Sequence, residues 1–173
     1  MSRLLSTPSR FRRIVSWWPP YRFAGIRVTH ISEDWSRVRV KLKLGRFNRN
    51  LFGTQFGGSL YSMTDPFWVL VVLKRLGQGY VVWDKAAEID YVAPGRGDVY
   101  CEFHLTEERA EEIRAATADG SKALPWFETL VTTEDGTVVA RVRKQLYVRP
   151  KRREPETATT AQPSQPGRTS PDS

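Results

Sequence analysis

One long apolar segment, residues 58–76, most constrains the fold, because the apolar residues on either side of it mostly alternate with polar ones. Its own apolar residues do not alternate strictly, which predicts a buried helix that ends near Gly77. Alternating stretches, typical of half-buried strands, lie at 25–32, 37–44, 80–92, 99–105, 127–133 and 137–148. One buried helix among successive strands predicts an α+β domain in which an antiparallel sheet curls around that helix. A surface helix, capped by Thr106 and ending before Gly120, is expected between the fourth and fifth strands.

The charge distribution divides the chain into three parts. Its 173 residues suit one globular domain and carry a formal charge of +8. Residues 1–22 hold five arginines and no acid, whereas residues 23–149 hold 18 basic and 16 acidic residues. Residues 150–173, rich in Pro, Ser, Thr and Gln, predict a disordered tail. We therefore expect a basic N-terminal arm with a short helix, one nearly neutral domain that does not bind nucleic acid, and a tail.

Several classes of site are disfavoured by composition. Cys101 is the only cysteine, which excludes an intramolecular disulfide and zinc sites built from cysteine pairs. Two histidines, His30 and His104, are too few for a histidine-based metal site. The longest strongly apolar run, 67–73, is far below the roughly 20 residues that cross a bilayer. Because residues 1–18 lack the features of a secretory signal, we expect a cytoplasmic protein without a transmembrane segment.

The basic arm has a helical pattern of its own. Phe11, Ile14, Val15 and Trp18 recur at helical spacing among arginines, and the following Pro19-Pro20 is expected to end the helix. A basic amphipathic helix can lie on an anionic membrane. The segment is only about two turns long, so packing of its tryptophans, Trp17 or Trp18, on its own domain is the favoured interpretation.

The candidate chemistry lies in residues 50–65, which contain Asn50, then Phe56-Gly57-Gly58, then Asp65. This segment resembles the active-site segment of hotdog-fold acyl-CoA thioesterases of the phenylacetyl-CoA type, in which an Asn precedes a loop ending in His-Gly-Gly and an Asp follows on the central helix. Asp65 stands at the family's spacing from the His position, which Phe56 occupies here. Residues 89–95, Ile-Asp-Tyr-Val-Ala-Pro-Gly, also resemble the strand and turn of that superfamily. The likeness covers about residues 10–149 and is greatest to a largely uncharacterised bacterial subgroup.

The resemblance implies a hotdog fold, with an antiparallel sheet wrapped around one long central helix, assembled as a homodimer or a dimer of dimers. It also implies hydrolysis of an acyl-CoA thioester, with coenzyme A as part of the substrate and no separate cofactor or metal. Asp65 would act as nucleophile or base, and Asn50 and Asp84 would orient water or the thioester. Phe56 departs from the family's histidine and could instead pack on the acyl chain.

Glycines at the start of the central helix suit an oxyanion hole. Gly57 and Gly58 let a ligand approach the backbone, and the unpaired N–H groups lie at the positive end of the helix dipole. Asp65 could attack the thioester or activate water. A helical rise of about 12 Å separates Gly57 from Asp65, so the two groups that act on one thioester are expected to come from different subunits.

Structural roles compete with these assignments. Asp65-Pro66 is typical of a helix start, with Asp65 as the N-cap and Pro66 at the first helical position. Asn50 could simply close a loop. Phe56 cannot form the hydrogen bonds of the family's histidine, which favours a second class of function, a non-catalytic module that binds acyl-CoA or a carrier-borne acyl chain. A dehydratase is disfavoured because both histidines lie outside the segment.

Alternation through residues 80–92 predicts two faces of one strand. The apolar face would hold Val81, Trp83, Ala87, Ile89 and Tyr91, and the wet face Asp84, Glu88 and Asp90. By the same count Lys85 falls on the apolar face, where we expect it to pair with Asp65 or a coenzyme A phosphate, unless it snorkels from the strand end. Two surface arginines, Arg49 and Arg96, are further candidates for holding coenzyme A phosphates.

Overall fold

The computed structural model describes residues 7–151, so the tail predicted for 150–173 lies almost wholly outside the described residues. The elements in chain order are α1 Pro8–Trp17, α2 Pro19–Ala24, β1 Ile26–Ile31, β2 Arg37–Leu42, α3 Gly57–Ser62, α4 Phe67–Leu76, β3 Tyr80–Tyr91, β4 Val99–His104, α5 Glu107–Ala116, β5 Trp126–Thr132 and β6 Val138–Pro150. All six strands form one antiparallel sheet in the order β1-β2-β4-β5-β6-β3. The predicted sheet, central helix and surface helix are confirmed.

The core lies between the inner face of the sheet and α4. Phe67 of α4 is fully buried and its ring centroid lies 5.1 Å from that of Phe103 on β4. Trp68 stacks on Phe127 of β5 at 4.5 Å, and its indole N–H donates to Thr129 Oγ1 at 2.8 Å. Aromatic pairs of this kind add to the burial of apolar area and fix the helix against the sheet.

The central helix consists of two segments rather than one. α3 ends at Ser62, and α4 begins at Phe67. Between them the backbone bonds span three residues instead of four, such as Thr64 N–H to Tyr61 O at 2.9 Å. Pro66 causes the break, because it has no N–H to donate and its ring clashes with the preceding turn. A second helix start is therefore observed next to Asp65-Pro66, the pair that is typical of a helix start.

The basic arm folds into two helices, of which only the first was predicted. Pro19-Pro20 ends α1 and supplies the first residues of α2, where a missing N–H costs nothing. α1 packs on the domain through Phe11, whose ring meets Trp35 edge-on at 5.6 Å. Of the two tryptophans expected to pack, Trp17 does not, since 71% of it is exposed, whereas Trp18 is 52% exposed and its ring lies 5.4 Å from that of the buried Tyr21. No helix within residues 7–151 is long and apolar enough to span a membrane.

A β-bulge in β3 reverses the faces predicted for residues 80–84, whereas the faces predicted beyond the bulge are confirmed, since Ala87 and Ile89 pair with the buried Lys144 and Val142. Asp84 pairs with Leu146 and Ala86 with Gln145, so Lys85 is an extra residue in the strand. Paired residues share a face, and Leu146 is fully buried, so Asp84 lies on the inner face instead of the predicted wet face. Trp83 lies on the outer face, where its ring stacks on Tyr147 at 4.1 Å. Lys85 is exposed, so its predicted place on an apolar face is wrong.

Candidate functional site

A buried lysine that the sequence analysis did not identify organises the site. Lys144 lies on the inner face of β6 and its side chain is 1% exposed. Its Nζ donates to Asp65 Oδ1 at 2.8 Å and to the Asp65 carbonyl oxygen at 2.5 Å. It also lies 3.1 Å from Asp84 Oδ2 and 5.5 Å from the centre of the Tyr61 ring. A buried ammonium needs such partners, because an unpaired one is costly.

Asp65 sits at the edge of this cluster rather than inside it. Its side chain is 53% exposed, although the ammonium that it binds is almost fully buried. Oδ1 is held by Lys144, whereas Oδ2 accepts no hydrogen bond from residues 7–151. Asp65 lines a cavity of about 340 Å³ between α2 and the central helix, together with Trp18, Tyr21 and Tyr61. One oxygen is therefore fixed and the other is available to a ligand or a water molecule.

The expected N-cap role of Asp65 is not observed. α4 has Pro66 at its N-cap position, and no side chain there accepts a hydrogen bond from the first turn. The residue is instead tied to the sheet, because Lys144 holds both its carboxylate and its carbonyl oxygen. Because one ammonium bonds both the side chain and the backbone of Asp65, the carboxylate is oriented more firmly than by either bond alone.

Asp84 is the second carboxylate of the cluster. Burial raises its pKa, Lys144 opposes that shift, and the negative charge of Asp65 adds to it. The cluster thus holds two carboxylates and one ammonium, and Asp84 is the more deeply placed acid, with 36% of its side chain exposed. The β-bulge at Lys85 creates this site by turning Asp84 inward.

Asn50 closes its loop, as the structural alternative predicts. Its Oδ1 accepts from the N–H groups of Phe52 and Thr54, both at 3.0 Å. Its Nδ2 donates to Thr54 Oγ1 at 2.9 Å and to Gln55 O at 3.3 Å. All of its hydrogen-bonding capacity serves the turn, and its orienting role in catalysis remains a prediction.

The glycines predicted to form an oxyanion hole begin α3 beside a groove of about 580 Å³. Gly57 lines the groove with Tyr91 and Arg96, and the Tyr91 hydroxyl donates to Gly57 O at 3.3 Å. A Cβ at Gly57 would lie 3.2 Å from the Tyr91 ring, which favours glycine there. As the first helical residues, Gly57 and Gly58 have N–H groups with no partner inside the helix.

Gln55 is a further residue of this groove to which the sequence analysis gave no role. It is 3% exposed, and its Nε2 donates to Leu42 O at 3.2 Å and to Gly97 O at 3.0 Å. Its Oε1 is buried and accepts no hydrogen bond from any residue that the structure describes. No sequence signal distinguishes it, because its partners lie on distant strands and turns.

Gly57 and Asp65 line different cavities of one chain. Tyr91 contacts Gly57, and Asp84 belongs to the cluster around Lys144 that also holds Asp65. The two residues lie on the same strand, roughly 20 Å apart at about 3.3 Å per residue. The structure therefore does not bring the predicted oxyanion donor and the predicted carboxylate together within one subunit.

The remaining predicted site residues are exposed. Phe56 is 55% exposed and its ring lies against the start of α3, where a Cβ on Gly58 would be 3.0 Å from Phe56 Cζ. Arg49 is exposed and forms an isolated bridge with Gln55. Lys85 does not form an ion pair with Asp65, because Asp65 pairs with Lys144 instead. Among residues 7–151 no group of His, Cys, Asp and Glu could hold a metal ion.

The antiparallel sheet around a central helix defines an α+β protein of the hotdog fold. Residues 7–148 match the family model "Domain of unknown function (DUF4442)", and the chain belongs to that family. No curated protein matches the chain.

Solved structures share this fold at low sequence identity. A protein of unknown function from Pseudomonas aeruginosa, described as a probable thioesterase, matches with a TM-score of 0.74 and 20% identity over 83% of this chain and 97% of that one. A thioesterase from Haemophilus influenzae matches with a TM-score of 0.61 and 15% identity, covering 83% and 91%. A protein of unknown function from Chlorobaculum tepidum matches with a TM-score of 0.65 and 17% identity, covering 84% and 98%. At these identities the likeness establishes the fold.

Proposed function

We propose that the protein hydrolyses an acyl-CoA thioester, with the Asp65 carboxylate as nucleophile or general base. The observation that carries this proposal is the ion pair in which a nearly buried Lys144 holds one oxygen of Asp65, a residue that is half exposed and lines a cavity, while the other oxygen accepts no bond from residues 7–151. A carboxylate placed in this way is fixed before substrate arrives, which lowers the cost of reaching the reactive geometry. The thioesterase descriptions of two structural neighbours support the same class of reaction.

The chemistry needs few groups. In the general-base form, Asp65 takes a proton from water, the hydroxide adds to the thioester carbonyl carbon, and the oxygen gains negative charge. An N–H at Gly57 would stabilise that oxyanion. Collapse of the intermediate breaks the C–S bond, and the proton passes from Asp65 to the departing sulfur. In the nucleophilic form, Asp65 attacks the same carbon, and the C–S bond breaks to release the thiolate and leave a mixed anhydride. Water then hydrolyses the anhydride, which restores the Asp65 carboxylate, releases the acyl group as a carboxylic acid and supplies the proton that the thiolate takes.

Two subunits are required for this arrangement, because Gly57 and Asp65 of one chain line different cavities. β3 offers a route to assembly, since it is twelve residues long and lies at the edge of the sheet. A long edge strand with unpaired backbone groups readily pairs with a second copy. Twofold pairing of β3 would run the central helices in opposite directions, with the partner subunit's Gly57 available to Asp65. We therefore propose a homodimer as the active unit.

The groove beside Gly57 is proposed to hold coenzyme A. Arg96 lines it and is exposed, so its guanidinium can pair with a phosphate. Gln55 Oε1 offers a buried acceptor without a partner in the described chain, which a ligand N–H or O–H could satisfy. These contacts would place the thioester sulfur near the start of α3.

A free-thiol release assay over short, aromatic and long acyl-CoA substrates tests the proposal. Asp65→Asn keeps the shape of the side chain and removes its charge, so thiol release is expected to fall at least a hundredfold, within the range of about 10²–10⁴ for acid–base groups. Asp119→Asn, an exposed carboxylate near the end of α5, is the matched control and should retain wild-type activity. Equal rates in wild type and Asp65→Asn would remove Asp65 from the reaction.

A non-catalytic acyl-binding module is the second candidate, and Phe56 is the observation that favours it. Its apolar ring covers the start of α3, where the resembling thioesterases have histidine. Asn50, whose polar atoms are all used within its loop, points the same way. Binding of acyl-CoA by calorimetry, without thiol release from any substrate, would select this function over hydrolysis.

A further inference from the structure

The two N-terminal helices carry a surface that packing within the chain does not explain. On α1, four exposed residues follow the spacing i, i+3, i+4, i+7 beside the face that buries Phe11, and two more lie on α2. We call this set the arm surface, and it comprises Arg10, Arg13, Ile14, Trp17, Arg22 and Phe23. Trp17 is 71% exposed, Phe23 82% and Ile14 42%. Ile14 and Trp17 are neighbours on one helix face, and exposed apolar side chains that cluster in this way mark an interaction surface, whereas single ones do not.

The charges of the arm surface have one sign. The sequence contains no Asp or Glu before Glu33, and the arm surface contributes three arginines. Within residues 7–151 none of these arginines forms a salt bridge. Arg22 lies over the Trp17 ring at 5.4 Å, so cationic and apolar groups are interleaved.

We propose that the arm surface docks the protein on an anionic lipid membrane. Tryptophan and phenylalanine partition into the interfacial layer of a bilayer, and arginines beside them pair with lipid phosphates. A second copy of this chain fits less well, because a twofold contact through the arm surface would place its arginines against one another. A protein partner normally receives aromatic anchors in pockets of its own, whereas a bilayer accepts side chains that project singly from a helix.

The geometry of docking follows from the other face of the same helices. Phe11 of α1 and Tyr21 of α2 are buried against the domain, which fixes the arm surface to the body. Arg27 Nη1 donates to Ser16 O at 3.1 Å, and Ser16 Oγ accepts from Val28 N–H at 3.1 Å, so α1 is also bonded to β1. The arm surface is thus presented by a preformed support, and the proposal does not depend on the thioesterase activity.

Vesicle sedimentation of the full chain tests the proposal. Wild type is expected to sediment with vesicles containing phosphatidylglycerol and far less with pure phosphatidylcholine, and 0.5 M NaCl should release it. Arg10→Gln/Arg13→Gln/Arg22→Gln should lower the partition coefficient about a hundredfold, at about fivefold per arginine. Its control, Arg39→Gln/Arg141→Gln/Arg143→Gln, removes the same net charge from the sheet and should bind more tightly than the arm variant.

Apolar contacts are tested in a second pair of variants. Trp17→Ser/Phe23→Ser should weaken binding to anionic vesicles at least tenfold, whereas Phe47→Ser/Leu51→Ser, which removes side chains of 101% and 102% exposure in a loop, should not. Circular dichroism checks that each variant is folded. Equal sedimentation with both vesicle types, or unchanged binding of Trp17→Ser/Phe23→Ser, overturns the proposal. A change in the oligomer mass of Trp17→Ser/Phe23→Ser would also overturn it, since the arm surface would then be a subunit interface.

Discussion

Lys144→Met is expected to destabilise the wild-type protein but to stabilise a variant in which Asp65 and Asp84 are both Asn. Two carboxylates lie 2.8 and 3.1 Å from one ammonium whose side chain is 1% exposed. At an effective dielectric constant of about 20, an ion pair at 4 Å gains roughly 4 kcal/mol. Desolvation of the buried ammonium offsets several kcal/mol of that attraction, so the sign of the net effect depends on whether the carboxylates are present.

The two backgrounds give opposite signs for a physical reason. In wild type, Lys144→Met leaves two carboxylates that are 53% and 36% exposed, so hydration limits the loss to about 2 kcal/mol. With both carboxylates replaced by Asn, the ammonium keeps its hydrogen bond to the backbone carbonyl of residue 65 but has no negatively charged partner. A buried charge without such a partner costs about 3–5 kcal/mol. Removing that charge by Lys144→Met is expected to recover about 2 kcal/mol or more.

Urea denaturation at one fixed protein concentration, followed by circular dichroism, measures these free energies of unfolding. Lys41→Met is the matched control, because Lys41 pairs with Asp98 at 2.7 Å but is 31% exposed, and its loss is expected to stay below about 1 kcal/mol. If Lys144→Met destabilises both backgrounds by the same amount, the carboxylates do not stabilise the buried ammonium, and the account of the cluster is refuted.

Two further predictions concern backbone strain and acid stability. Gly25→Ala should lower the free energy of unfolding by about 2 kcal/mol or more, because Gly25 has φ +83 and an added Cβ would lie 2.8 Å from Lys43 O. In the same urea assay the control Gly79→Ala, which has open space around it, should change the free energy of unfolding by less than about 1 kcal/mol. Hydrogen bonds from Ser32 and Ser36 lower the pKa of Asp34 to about 2. A lowered pKa stabilises the folded state above the ordinary value of 3.8, and that contribution is lost as the pH falls through about 2. Wild type should therefore be more stable than Asp34→Asn at pH 6, by less than about 1 kcal/mol because Asp34 is exposed. This difference should shrink between pH 4 and pH 2. A difference that stays constant with pH would contradict the prediction.

The sheet could be predicted from the sequence because each strand has one wet face. Alternation of apolar and polar residues is then visible without any knowledge of pairing, and the six predicted strands all exist. The break at Pro66 was also predictable, since the loss of an N–H is a local property. By contrast, the bulge at Lys85 depends on the register between β3 and β6, and a count of alternating residues cannot detect one inserted residue.

Lys144 shows why the centre of the site was missed. The even-numbered residues of β6 point to the inner face of the sheet, and Lys144 lies in that series between Val142 and Leu146. A lysine in an apolar series was the available signal, but its partner Asp65 is 79 residues away, so only the folded chain shows that the charge is paired. Asp65 itself was found through its resemblance to a family motif, whereas its ion pair was not implied by that motif.

Mixing two inactive variants tests the central claim, that each active site combines Asp65 of one subunit with the partner subunit's Gly57. Gly57→Pro removes the N–H donor where the backbone suits proline, since Gly57 is the first helical residue and Phe56 has φ −72 and ψ 128. Its Cβ would lie 3.2 Å from the Tyr91 ring, which is 58% exposed and has room to shift by a few tenths of an ångström. Asp65→Asn removes the carboxylate. After the two variants are unfolded together and refolded, random pairing should restore thiol release to about one quarter of the wild-type rate, because half of the dimers are mixed and each holds one intact site. If the mixture stays as inactive as its components, Gly57 and Asp65 do not act across a subunit interface and the proposed mechanism is wrong.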